Sequence, residues 1–219
     1  MADAAWVASG EAVRESAAAP RHRAVVRVTH WITTVCFLAL FVTGVEIVVS
    51  HPRFYWGETG NVNTPPLFKI PIPASRSTVP TGYGYTLPDQ NGWSRYLHFE
   101  AAWAVVLTGL VYVAAGLLMG HFRTDLLGGR TYNPLQRKTY LVVVFVLFPL
   151  VIWTGLAMSP AIVSAVPATV RLLGGQQSAR TIHFFVSLAL FLFLLVHVVM
   201  VWRAGFWKLV RAMITGGER

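Results

Sequence analysis

The stretch SARTIHFFVSLALFLFLLVHVVMVW, residues Ser178–Trp202, decides the fold of this chain. It is mostly apolar, and about 20 such residues in a helix cross the ~30 Å of hydrocarbon in a bilayer. The stretch therefore predicts a transmembrane helix. It also holds His183 and His197, and ionisable side chains are costly in hydrocarbon and tend to mark a functional site.

Three further apolar blocks occur in the chain, which is 55% hydrophobic and only 12% charged. The four predicted spans are Val28–Val49, Trp93–Gly120, Tyr140–Met158 and Ile182–Trp202. A soluble domain has about 25% charged residues. The composition therefore predicts an all-α integral membrane protein with a four-helix bundle.

Residues 21–219 are predicted to form this single transmembrane domain. Met1–Pro20 is polar and Ala-rich, so we interpret it as a disordered tail without a cleavable signal peptide. The lone Cys36 excludes an intramolecular disulfide and a C-x-x-C-H site for covalent haem. We find no Ser-His-Asp set, Walker loop or Rossmann glycine pattern.

The basic residues predict the topology. Of the 18 Lys and Arg residues, twelve lie before the first span, between the second and third, or after the fourth. Because cytoplasmic segments carry the excess of positive charge, both termini are expected in the cytoplasm. The net charge of +9 then needs no nucleic-acid partner, since basic residues at span ends contact lipid headgroups.

The longest connection, Ser50–Gly92, joins the first two spans and is then extracytoplasmic. Its Pro and Gly residues interrupt helix and strand patterns, so no regular structure is expected. Long loops of this kind are usually functional or disordered. The aromatic content favours an ordered cap or docking surface, although a cap that packs only on its own bundle fits the same residues.

Four histidines lie in the spans, and their distances from the span ends place them at two depths. His30 and His197 are predicted near the cytoplasmic face, and His98 and His183 near the outer face. Fourteen residues of the fourth span advance a helix by ~21 Å and rotate it by ~1,400°, within ~40° of whole turns. Both imidazoles of the fourth span thus lie on the same face of the helix, one in each leaflet. The third span has no histidine and is assigned to packing.

Two imidazoles at one depth indicate haem rather than zinc. Zinc takes four protein ligands, or three and a water, whereas each level here offers two histidines and no nearby Cys. Haem iron has four porphyrin nitrogens, and two axial histidines complete its coordination for electron transfer. The sequence predicts two bis-histidine haem b groups, His30/His197 inner and His98/His183 outer. A proton or metal relay without haem is the alternative from the transport class.

Three of these histidines follow the pattern R-x-x-H, with Arg27, Arg95 and Arg180 one turn nearer the membrane surface. Each guanidinium is a candidate partner for a haem propionate, although arginines also flank spans for topological reasons. Weaker candidates are His121 for quinone, Glu46 and Glu100 for protons or interface placement, and Gly109 with Gly116 for a flat ligand or close packing; His22, His51 and His121 are otherwise expected in exposed or capping roles.

The RVTHW motif at residues 27–31, the R-x-x-H that opens the second span and the H-x13-H of the fourth resemble a known family. They are similar to the bacterial di-haem cytochrome b subunits of nickel-iron hydrogenase, formate dehydrogenase and thiosulfate reductase. The similarity covers Arg21 to about Gly216. The resemblance implies the same two ligand pairs, with the His30/His197 haem on the cytoplasmic side.

The resemblance also implies a membrane subunit of a respiratory complex that exchanges electrons with an outward-facing catalytic subunit, and with quinone near the inner haem. The long first loop looks more like a branch associated with molybdopterin oxidoreductases. The main hypothesis is therefore an electron-transfer subunit between the quinone pool and an extracytoplasmic oxidoreductase, with substrate chemistry left to the partner. The alternative is a self-contained superoxide-to-quinone oxidoreductase of the inner membrane.

Overall fold

The computed structural model describes residues 23–61, 63–71, 90–120 and 134–217. The helices are α1 (Ala24–Ser50), α2 (Gln90–Leu118), α3 (Pro134–Val142), α4 (Phe148–Ala157), α5 (Pro160–Ala165), α6 (Ala168–Arg171), α7 (Gln176–Arg203) and α8 (Phe206–Thr215). A π-helical segment, Val143–Leu147, joins α3 to α4, and the strands β1 (Arg53–Phe54) and β2 (Phe68–Lys69) lie between α1 and α2. The predicted tail at residues 1–20, His22 and His121 lie outside the described residues.

Four helices are long and apolar enough to cross a membrane, which confirms the four predicted spans. They are Ala24–Ser50, Gly92–Leu118, Lys138–Ala157 and Gln176–Arg203. The third, called span three below, runs through α3, the π segment and α4. The first helix begins four residues and the last six residues before the predicted boundary. Arg27 in the first turn of α1 and the polar start of α7, Gln176-Gln177-Ser178, lie outside the apolar stretches on which those boundaries rest.

The spans pack as two helical hairpins. The backbone of α1 lies along that of α2, and span three lies along α7. The two hairpins meet through side chains: the rings of Phe41 and Phe191 stack with centroids 4.2 Å apart and 7° between their planes. Much of the remaining helix surface is apolar and exposed, as expected of faces that contact lipid.

Span three changes helix type just before Pro149. Proline has no N–H to donate, and its ring clashes with the carbonyl one turn earlier in a regular α-helix. We attribute the wider turn at Val143–Leu147 to this proline. Val143 is buried against Val186 and Leu190 of α7, so the segment stays packed within the bundle.

Residues 51–71, except residue 62, form a cap on one end of the bundle, called the loop end; the opposite end, with α8, is the terminal end. β1 pairs antiparallel with β2, so the expectation of no regular structure is wrong here. Phe54 is buried, and its ring centroid lies 4.6 Å from that of Phe68 and 4.5 Å from that of Phe184 in α7. These aromatic contacts hold strands that are too short to show a sequence period.

The cap also supplies partners to the first turn of α7. The carbonyl of Gly57 accepts hydrogen bonds from the backbone N–H groups of Gln177 and Ser178, at 3.0 and 3.2 Å. Oε2 of Glu58 accepts one from the N–H of Gln176 at 3.3 Å. Such N–H groups have no acceptor within their own helix, and a carboxylate is favourable at the positive end of the helix dipole. The cap therefore explains why α7 begins before its apolar stretch.

Gly175 is required for this approach of the cap. Its φ is +114°, and a Cβ at this position would lie 2.6 Å from the carbonyl carbon and oxygen of Gly57. We expect Gly175→Ala to destabilise the protein by about 1–3 kcal/mol. In a chain of this size each kcal/mol lowers Tm by roughly 2–4 °C, which thermal unfolding in detergent measures.

Gly174→Ala is the matched control for this substitution. The φ of Gly174 is +81°, but a Cβ there would meet only the side chain of Ser178, with Oγ at 3.5 Å and Cβ at 3.9 Å. The control therefore keeps the backbone strain and omits the clash with the cap. Equal losses of stability in the two variants would contradict the importance of the contact with Gly57.

The sequence did not predict α8, which follows a turn at Gly205 with φ of +104°. Two side chains of α1 bind its last-turn carbonyls. Arg27 Nη1 donates to Ile214 O at 3.0 Å. Trp31 Nε1 donates to Met213 O at 3.1 Å. The last carbonyls of a helix have no donor within it, so these bonds fix α8 against the start of α1.

Candidate functional site

One pair of histidines lies near each end of the bundle. At the terminal end, the ring centroids of His30 and His197 are 6.4 Å apart, with 53° between the ring planes. At the loop end, the centroids of His98 and His183 are 6.3 Å apart, with planes at 61°. The structure thus brings together the same partners that sequence depth paired.

These separations fit one haem iron between the rings of each pair. A histidine nitrogen lies ~2.0 Å from a bound metal, and the ring centroid about 1.1 Å behind it, so two imidazoles on opposite sides of one ion have centroids roughly 6.2 Å apart. Within residues 23–217, leaving out the undescribed gaps, no group of three or more His, Cys, Asp or Glu could hold a bare metal ion. Each pair therefore suits an ion that brings its other ligands with it, as haem iron does.

A buried threonine hydroxyl orients the ring of His98. Thr43 of α1 is 0% exposed, and its Oγ1 lies 2.9 Å from His98 Nδ1. The same Oγ1 lies 2.7 Å from the carbonyl oxygen of Ala39. Because a carbonyl can only accept, the hydroxyl proton goes to Ala39, and the Nδ1–H of His98 donates to the hydroxyl. The lone pair that a metal needs is then on Nε2.

The ring of His183 is held in the same way from span three. Thr154 is also 0% exposed, and its Oγ1 lies 2.9 Å from His183 Nδ1. This hydroxyl donates to the carbonyl of Leu150 at 2.9 Å, so the proton of the imidazole again lies on Nδ1. Span three therefore contributes a hydrogen bond to the candidate site in addition to the packing role that the sequence predicts.

A glycine follows each of these threonines and lies against the same ring. A Cβ at Gly44 would lie 3.7 Å from Cε1 of His98, and one at Gly155 would lie 3.6 Å from Cε1 of His183. We call Thr43-Gly44 and Thr154-Gly155 the Thr-Gly pairs. The sequence does not predict their role, because the same dipeptide also occurs without such a contact, as at Thr108-Gly109.

Aromatic rings flank the histidines at the terminal end. Trp31 lies edge-on to His30 with centroids 5.4 Å apart, and Phe193 stacks on His197 at 5.8 Å. Trp31 also donates to a carbonyl of α8, as Arg27 does. Within the RVTHW motif, His30 therefore faces α7, while the residues three before and one after it bind α8.

The two loop-end arginines converge on His51, which follows the last turn of α1. Arg95 Nη2 lies 3.5 Å from His51 Nε2, and Arg180 donates to the His51 carbonyl. The guanidinium of Arg180 also lies 5.1 Å from the centroid of Phe54. Arg27 instead donates to α8, and its Nε is buried without a hydrogen-bond partner among the described residues. The propionate role of all three arginines stays a prediction.

The roles suggested for the weaker candidates, Glu46, Glu100, Gly109 and Gly116, stay predictions. Glu46 is half-buried in α1, and its Oε1 has no hydrogen-bond partner in the described part of the chain. Glu100 is exposed on α2. A Cβ at Gly109 would meet nothing within 4 Å, whereas Gly116 is buried and lines a groove between α1 and α2.

The family described as prokaryotic cytochrome b561 matches residues 21–216. The chain belongs to this family. It is also similar to a protein of Azospira oryzae whose name describes a protein-methionine-sulfoxide reductase subunit, YedZ1. The two are 29% identical over 203 residues, which cover 80% of this chain and 87% of the relative. No solved structure gives a significant match.

Membership of the cytochrome b561 family confirms the resemblance to bacterial cytochrome b subunits. The family binds haem b and transfers electrons in membranes. Together with the four apolar helices, this makes the chain a multi-pass membrane cytochrome. The histidine pairs at both ends of the bundle have a separation that fits a haem b group.

The lowered pKa of His51 at the loop end predicts that folding stability depends on pH. Burial, with the charges of Arg180 and Arg95, lowers the pKa of its imidazole below the ordinary value of 6.5. Between 6.5 and the lowered pKa, the unfolded chain binds a proton that the folded chain does not. Folding stability is therefore complete above this window and falls as the pH drops through it.

We expect the Tm of the wild-type protein to fall more steeply than that of His51→Gln between about pH 7 and pH 5. Glutamine keeps a group that can accept a hydrogen bond from Arg95 but does not titrate. Thermal unfolding in detergent at a series of pH values measures the difference. Parallel curves for the two proteins would show that His51 does not contribute.

Proposed function

We propose that this protein is the electron-transfer subunit of an oxidoreductase complex and carries two b haems, one near each membrane face. His30 and His197 hold the terminal-end haem, and His98 and His183 hold the loop-end haem. The observation that carries the proposal is the facing imidazole pair at each end, with centroids 6.4 and 6.3 Å apart.

Helix geometry supports two separate haem levels. His183 and His197 are fourteen residues apart in α7, which corresponds to a rise of ~21 Å. The same interval in α1 separates His30 from Gly44, which lies against the loop-end ring of His98. Two helices that run in opposite directions thus define the same two levels. The stacked phenylalanines of α1 and α7 lie between them and keep this interval apolar.

Bound haem supplies a one-electron couple, and the residues of the chain position it and tune it. Two imidazoles per group leave no open coordination position, which favours electron transfer over oxygen binding. Arg95 and Arg180 place positive charge at the loop end, where propionates would meet water. Arg27 would reach a terminal-end propionate only with the part of its guanidinium that α8 does not occupy.

The basic residues support a cytoplasmic terminal end, to which α8 adds Lys208 and Arg211. The loop end and its cap then face the outside, where the catalytic subunit docks. The name of the Azospira oryzae relative refers to methionine sulfoxide reduction. We therefore propose that the catalytic partner is a sulfoxide reductase with a molybdopterin cofactor. Quinone is proposed as the exchangeable redox partner at the terminal end.

The basic loop end also favours a second candidate function. Arg95 and Arg180 lie around His51, and such a cluster attracts small anions. Superoxide could then deliver electrons to the loop-end haem, and quinone could receive them at the terminal end, without a partner subunit.

We expect His197→Ala and His183→Ala each to lose one haem and to keep the other, which halves the ratio of haem to protein. The reason is that an iron with one remaining axial ligand is no longer held across the two hairpins. Haem content and the reduced absorption bands of the purified variants measure this. His51→Gln, which keeps a hydrogen-bond acceptor for Arg95, is the control and keeps both haems. Full haem content in either ligand variant would contradict the assignment.

The two candidate functions predict different behaviour of the purified chain. As a subunit, it co-purifies with a catalytic protein whose substrate oxidises or reduces both haems. As a superoxide oxidase, the isolated chain reduces quinone when superoxide is generated. Rapid quinone reduction by the isolated chain, without any co-purifying protein, would favour the second function.

A further inference from the structure

We infer that the Thr-Gly pairs, Thr43-Gly44 and Thr154-Gly155, are positioning elements that set the redox potential of the loop-end haem. The inference rests on the proposed function, because it takes His98 and His183 as the axial ligands of that haem. It goes beyond the ligand assignment, since no Thr-Gly residue binds the iron.

The same contact between a threonine hydroxyl and a histidine ring occurs twice, once in each hairpin. In the first hairpin, Thr43 of α1 holds the ring of His98 in α2. In the second, Thr154 of span three holds the ring of His183 in α7. Both Oγ1–Nδ1 distances are 2.9 Å. Each hairpin thus supplies one ligand from one helix and one hydroxyl from the other.

In both contacts the imidazole donates the hydrogen bond and the threonine hydroxyl accepts it. Each hydroxyl proton is committed to a carbonyl of its own helix, so each hydroxyl accepts from the imidazole. A hydrogen bond accepted from Nδ1–H makes the opposite nitrogen a more basic ligand. A more basic ligand stabilises ferric over ferrous iron, so the bonds from Thr43 and Thr154 lower the potential of the loop-end haem.

Both threonine side chains are fully buried, so water does not replace the hydroxyl when it is removed. The glycine in each pair brings helix backbone against Cε1 of the same ring. The ring therefore has a hydroxyl at one atom and a backbone surface at the next, and both restrict its rotation.

The decisive variants are Thr43→Val and Thr154→Val, which keep the shape of the side chain and remove the hydroxyl. We expect the loop-end haem to become roughly two- to tenfold more reduced relative to oxidised at a fixed potential, the effect of one lost hydrogen bond. The terminal-end haem is unchanged. A redox titration of the absorption bands measures both haems, and the low-spin electron paramagnetic resonance signal of the loop-end haem shifts because its ring is freer.

Thr43→Ser and Thr154→Ser are the rescue variants, since serine keeps the hydroxyl, and they are expected to retain the wild-type potential. Thr108→Val is the matched control. Thr108 is buried and precedes a glycine, but a Cβ at Gly109 would meet nothing within 4 Å. Thr108 also lies ten residues from His98, or ~15 Å along the helix.

The inference is overturned if the valine variants keep both haems at wild-type potentials, or if the serine variants or Thr108→Val shift the potential equally. Loss of the loop-end haem from a valine variant supports it when the serine variant keeps that haem, and overturns it when the serine variant loses the haem as well. His183→Ala separates this result from the proposed function. If that variant keeps both haems, the ligand assignment itself fails.

Discussion

A neutral imidazole inside a membrane has one donor and one acceptor, and hydrocarbon offers a partner to neither. This constraint explains the arrangement at the loop end. A metal can take the acceptor nitrogen, and a neighbouring helix must then take the donor. Thr43 and Thr154 do so while their own protons satisfy helix carbonyls. At the loop end, each histidine helix thus has a threonine helix beside it, and each such pair of helices is one of the two hairpins.

The depth of each site could be predicted from the sequence, but its surroundings could not. A helix advances ~1.5 Å per residue, so the position of a histidine in an apolar stretch gives its level in the membrane. This sufficed to pair His30 with His197 and His98 with His183. The rotation of one helix relative to another has no such measure in the sequence. The contact of Thr154 with His183 depends on that rotation, so the sequence predicts only a packing role for span three.

Short elements escaped prediction for a different reason. The strands at Arg53–Phe54 and Phe68–Lys69 have two residues each, and a period cannot appear over that length. They are held by aromatic contacts with α7 that are distant in sequence. The ten residues of α8 are likewise an element that the sequence does not predict. Its position depends on Arg27 and Trp31, which lie almost 190 residues earlier in the chain.

The π segment at Val143–Leu147 has a consequence for the azimuth of span three. A π turn holds one residue more than an α turn, so the helix beyond it is offset by about 100° from a regular continuation. Thr154 lies beyond this offset and Tyr140 before it. If Val143–Leu147 were regular α-helix with the same number of residues, Thr154 would turn by about 100° away from His183 and its hydrogen bond to that ring would be lost. The irregular turn thus sets the rotational offset between the two ends of span three.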